Sequence, residues 1–253
     1  MLRRGNQAED MSNRDKRQIK ENIKTKDVNE IFGIVEAHRN QYSIAWYLTA
    51  RNNLQSAKIL YYNKRYNHTV FFLQQCIECI VKGILTENDL TDKPKSWGHT
   101  PEAAIEAFYK SVEASMDNFT AINNRMAGLV DFESRMRECA TIVNEAYTDV
   151  KELKDCITKE ELYTIEPDIY THLGLNKSTN KIEAQRRIID IQFVNILIYV
   201  FSKLFNPCHQ EARYPEYKNG ELILPEKIFS SKSIVDELDT IIKWFDYMFN
   251  EIL

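Results

Sequence analysis

Between Val70 and Leu85 the chain carries apolar residues on both sides of a helix, and this constrains the fold more than any other feature. Val70, Leu73, Ile77, Ile80, Val81 and Ile84 recur at helical spacing. Gln75, Glu78 and Lys82 fall on the other side. Glu78 precedes Lys82 by four residues, the favourable order for an exposed ion pair. Phe71, Phe72 and Cys79 share that second side, so it is not simply a wet surface. A helix that is apolar on two sides is either central to a bundle or covered by a partner chain.

Other segments point to helix as well. Gln41 to Lys64 places Tyr47, Ala50, Leu54, Ala57 and Tyr61 on one stripe. Ile188 to Phe205 is a long apolar run closed by Pro207, which cannot donate the next helical hydrogen bond. A last helix over 231–252 carries Ile234, Leu238, Ile241, Phe245, Met248 and Ile252 as a continuous stripe. Ile122, Met126, Leu129, Met136, Ala140, Val143, Tyr147 and Val150 recur by three and four, interrupted by Glu133. They predict one long helix from about Phe119 to Cys156. Only Glu221 to Leu224 reads as a short strand. Seven Gly and 6 Pro in 253 residues fit a mostly helical chain. The fold class is therefore all-α, an up-down bundle with an elongated middle helix.

Between the long helices lie two turn regions with chemistry in them. Arg213-Tyr214-Pro215 reads as extended or turn backbone, because the residue before proline avoids the helical region. An Arg and two Tyr on such a turn either pack structurally or face a ligand. His99 stands just before Thr100 and Pro101, a good N-cap and first helical residue. It therefore either closes a loop or lies beside the free amides of a helix start, which favour an anion.

The order of these features resembles the HEPN domain (higher eukaryotes and prokaryotes nucleotide-binding). Ala57, Leu60 and Tyr66 match its A-x-x-L-x-x-x-x-x-Y helix. Gln74, Gln75, Glu78, Lys82 and Leu85 match its Q-Q-x-x-E-x-x-x-K-x-x-L helix. His99 matches a His that opens a further helix, and Ala212 to Pro215 match A-R-Y-P ahead of a terminal amphipathic helix. The resemblance covers roughly 44–108 and 182–253, and makes Gln75, Glu78, Lys82, Arg213 and Pro215 family-motif positions. It implies Lys82, His99, Arg213 and Tyr214 as ligand-binding candidates. Against that pattern, about 110–180 reads as a helical insertion. Its Phe119–Cys156 helix packs within its own bundle, pairs with its copy, or holds another protein. The domain itself spans 41–253, behind a helical N-terminal arm at 1–40.

The resemblance raises the question of catalysis. Active HEPN ribonucleases carry an Arg, four to six residues, then a His: the His moves protons and the Arg meets the phosphate charge. Here His occurs at 38, 68, 99, 172 and 209, and no Arg stands five to seven positions before any of them. Arg65 precedes His68 by only three. No catalytic residue is therefore assigned. The expected function is a non-catalytic binding module, dimeric through the doubly apolar Val70–Leu85 helix, for a nucleotide, an RNA or another polyanion. The alternative is an RNase toxin or defence effector whose Arg and His converge from separate segments, with Arg65 and His68, or His209 and Arg213, as the first pairs.

Charge and cysteines narrow the remainder. Residues 1 to 26 hold 8 Lys/Arg against 4 acids, within a chain of net charge −4. Such an arm either contacts phosphates or is simply solvated. Five Cys at no regular spacing fit free thiols in a reducing, cytoplasmic compartment. Cys76-x-x-Cys79 lies inside a helix with no second such pair, so no metal is assigned, and no cofactor is implied. Ile188 to Phe205 falls short of the roughly 20 apolar residues of a membrane span, so no membrane partner is expected.

Overall fold

The computed structural model describes residues 41–87, 116–157, 181–218 and 220–252. The basic arm at 1–40, His99 with its helix start, and the end of the expected insertion over 158–180 lie outside these described residues.

Two helices open the structure, α1 (Gln41–Tyr62) and α2 (Tyr66–Glu87). They pack on each other as a hairpin. The turn between them falls at Asn63–Lys64, slightly earlier than the sequence places it. Lys64 takes the left-handed conformation at φ 57°, while Lys64 and Arg65 N–H groups donate back to the carbonyls of Tyr61 and Leu60. Those bonds satisfy carbonyls that the end of α1 leaves open. The two helices approach closely where α2 has no side chain. A Cβ built on Gly83 would lie 2.5 Å from Cε1 of the buried Tyr47 ring.

The expected single helix from Phe119 to Cys156 is two helices, α3 (Met116–Met126) and α4 (Phe132–Cys156). Gly128 at φ 82° turns the chain left-handed. Asp131 then caps α4, its carboxylate accepting the Ser134 N–H at 2.7 Å and the Ser134 hydroxyl at 2.7 Å. The apolar repeat runs on across this break, which hides it: Leu129 is half-buried and Val130 is exposed. Next come α5 (Lys181–Phe205), the short α6 (Cys208–Glu211), strands β1 (Glu216–Lys218) and β2 (Glu221–Ile223), the short α7 (Pro225–Ile228) and α8 (Lys232–Ile252). The strands form an antiparallel hairpin in which Tyr217 pairs with Leu222, and Gly220 turns it at φ 83°.

The core is continuous through the long helices. α5 lies against α2, α4 and α8, while α8 also touches α1 and α4. Phe201 of α5 stacks on Phe245 of α8 at 5.0 Å between ring centres. Phe193 sits among Tyr147, Trp244 and Tyr247. Residues of the supposed insertion, among them Met136, Cys139 and Val143, belong to this same core. α2 and α5 are both long and apolar enough to cross a membrane by composition, α5 because it begins earlier than the apolar run suggests. Their apolar faces are buried in the bundle. Phe71 and Phe72, whose exposure suggested a partner, are packed against the core of their own chain.

Two stability consequences follow from this geometry. Gly83→Ala gains about 1 kcal/mol of helix propensity, but forces a methyl into the Tyr47 ring, at a cost of about 1–3 kcal/mol. A net loss is expected, read as a lower urea midpoint. Asp131→Ala should cost about 1 kcal/mol at neutral pH through loss of the α4 cap. The Ser134 hydrogen bonds hold the Asp131 carboxyl below its usual range. Its contribution is therefore full above the unfolded-state pKa and is lost as pH falls through the lower folded value. The gap between wild type and Asp131→Ala should close in acid, and a gap unchanged at pH of about 2 would refute this assignment.

Candidate functional site

One stripe of α2 gathers most of the chemistry. Phe71, Gln75, Glu78 and Lys82 follow one another at spacings that keep them on one side of the helix. At its centre is the buried carboxylate of Glu78. The Lys82 ammonium donates to its Oε1 at 2.6 Å. Gln74 Nε2 donates to Oε2 at 3.1 Å, and Gln75 Nε2 to the same oxygen at 3.3 Å. Lys82 also lies over the Trp46 ring of α1, 5.2 Å from its centre. The pair that reads as an exposed surface contact in the sequence is enclosed, with Trp46 of α1 over its Lys82 end. A carboxylate there is tolerable only with its charge matched and its lone pairs filled. Gln74 and Gln75 fill them.

The C-x-x-C of this helix is packing. Cys76 and Cys79 are both buried free thiols. Burial, with the Glu78 charge beside it, pushes the Cys79 thiol up to about 11. Among the described residues no cluster of three or more His, Cys, Asp or Glu is arranged to hold a metal.

The A-R-Y-P turn meets the other end of the same stripe. Arg213 lies over the Phe71 ring at 5.2 Å and over Tyr214 at 5.2 Å. Arg213, Tyr214 and Pro215 are all exposed. Backbone bonds fold the turn back on α6: Ala212 N–H to the Cys208 carbonyl, and Arg213 and Tyr214 N–H groups both to the Gln210 carbonyl. The anchor is a residue that sequence reasoning missed. Arg135 of α4, buried, donates from Nη2 to Glu211 at 2.9 Å and from Nη1 to the Val130 carbonyl at 2.9 Å. It sits beside Met136 in an amphipathic repeat. Its only signal was a charge at the edge of an apolar stripe.

The structure thus brings Arg213 to Phe71, not to Lys82. Phe71 and Lys82 are eleven residues apart on α2, a helical rise of about 16 Å. Lys82 is spent on Glu78 and Trp46, whereas Arg213 has no carboxylate partner among the described residues. The expected meeting of Arg213 with His99 lies outside those residues, as does the His209 side chain. Arg65 and His68 are both exposed at the start of α2, with His68 Nδ1 3.4 Å from the Asn67 amide.

The model of the HEPN domain family matches residues 43–166. Residues 43–166 therefore form a HEPN-family domain. No curated protein and no solved structure gives a match. The HEPN match takes in α1 to α4, including the Gln74–Leu85 motif and most of the interval read as an insertion. α5, the Ala212–Pro215 turn and α8 lie beyond it, although the core joins them to the matched helices.

The Glu78 network carries its own test. Glu78→Ala leaves the Lys82 ammonium enclosed without its counter-charge. It should cost roughly 3 kcal/mol or more in urea unfolding. Glu78→Leu combined with Lys82→Met removes both charges and should recover most of that loss. A double variant no more stable than Glu78→Ala would show that the pair is not the structural hub described here.

Proposed function

We propose that this HEPN-containing chain is a non-catalytic binding module, dimeric, that takes a nucleotide or another polyanion at the Arg213–Tyr214 turn. The observation that carries the reading is the pair of aromatic rings beneath one exposed cation. Lys58, Lys82, Arg125, Arg135 and Lys154 are each ion-paired within the chain. Arg213 is exposed, lies over the Phe71 and Tyr214 rings, and has no carboxylate partner among the described residues. A guanidinium placed in this way offers paired donors to phosphate. The exposed Tyr214 ring beside it offers a face to a base. Among the described residues this reading rests on Arg213 and Tyr214, with Lys82 in a structural role, and His99 stays a candidate outside them.

The absence of any Arg–His pair at the HEPN ribonuclease spacing supports binding over cleavage. Fluorescent nucleotides and short RNAs should be titrated into the pure protein, with RNA integrity followed in the same tubes. Arg213→Ala should weaken binding by roughly 1.5–3 kcal/mol, a tenfold to hundredfold loss, with the unfolding transition preserved. Unchanged affinity would make Arg213 only the cover of Phe71. RNA cleavage lost in His68→Ala or His209→Ala would replace this reading with the ribonuclease one.

A further inference from the structure

α1 buries one face and leaves a second apolar stripe in solvent. Ile44, Leu48, Arg51, Gln55, Ile59 and Tyr62 are all exposed and follow one another by three and four residues. Leu48, Ile59 and Tyr62 are 55%, 62% and 79% exposed. They line one side of a helix whose opposite side, Tyr47, Ala50, Leu54 and Ala57, is fully in the core. The bundle therefore does not need them, and large side chains left in a row mark a contact surface.

The stripe is nearly the same read in either direction. About a point near residue 53, Ile44 is mirrored by Tyr62, Leu48 by Ile59, and Arg51 by Gln55. A two-fold axis across α1 lays two copies antiparallel and applies this mirror between chains. Apolar ends then meet apolar ends over a length of about 27 Å. At the centre the Arg51 guanidinium of each copy faces the Gln55 carbonyl of the other, donor to acceptor. The basic segment 1–26 of the N-terminal arm is a poorer occupant. α1 holds no acidic residue, whereas the first 26 residues hold 8 Lys/Arg against 4 acids, so the two repel.

Resting on the dimeric reading above, we infer that the two protomers pair through the outer face of α1, antiparallel about residue 53. This differs from pairing through α2, whose Phe71 and Phe72 are packed within their own chain.

The test is sedimentation velocity on the full chain at tens of micromolar. Wild type should run at twice 29.8 kDa, and Leu48→Glu/Ile59→Glu as a monomer with an unchanged circular dichroism spectrum. Register is read by cross-linking in a Cys156→Ala background, which removes the exposed thiol. Leu48→Cys/Ile59→Cys should form a covalent dimer under mild oxidation, and neither single variant should. A dimer that survives Leu48→Glu/Ile59→Glu overturns this surface and leaves the dimeric reading standing. A monomeric wild type overturns both. A monomer destabilised by Leu48→Glu assigns the stripe to the arm and also overturns the proposal.

Discussion

Tyr47 resting on the bare backbone of Gly83 is the contact on which the arrangement turns. It lets α1 and α2 approach closely. Close approach also brings Trp46 of α1 over Lys82, the partner of the buried Glu78 carboxylate. A wider spacing would admit water, and the pair would become an ordinary surface contact worth a few tenths of a kcal/mol. Close packing and buried charge are thus one feature seen at two points on the same helix pair.

The turn that bears Arg213 depends on that helix pair and on a third element. Phe71 supplies the platform from α2, and Arg135 of α4 grips Glu211 just ahead of the turn. Cys208 lies buried at the same junction, its thiol pushed up by burial and eased by the Arg135 charge. The exposed guanidinium is held by parts from three places in the chain, so its position is a property of the whole bundle.

Periodicity located the long helices because each has a face that must be buried, and burial repeats with the helical turn. α1 and α8 lie within two residues of where the apolar stripes place them, whereas α2 begins four residues and α5 seven residues ahead of its stripe. The break between α3 and α4 escaped because an apolar spacing of three to four carries straight through Gly128 and Asp131. The capping bonds that decide the break do not show in a hydrophobic stripe. The Glu78–Lys82 pair was placed correctly and its surroundings were not: spacing along one helix says nothing of what lies over it. Arg135 illustrates the same limit, since a buried cation is defined by partners far off in sequence, here Glu211.

Lys58 of α1 pairs with Asp246 of α8, 188 positions later, and Tyr61 of α1 donates to the Val235 carbonyl. The first described helix is thus locked by the last. During synthesis the α1–α2 hairpin can form early from local contacts, but the side of α5 that α8 covers, with Phe201 on Phe245 and Phe193 on Trp244, stays open until α8 emerges. The nascent chain carries that side uncovered while residues 206–252 are added. Non-local closure of this kind slows folding and invites aggregation. That interval of exposure is a cost built into the order of the helices.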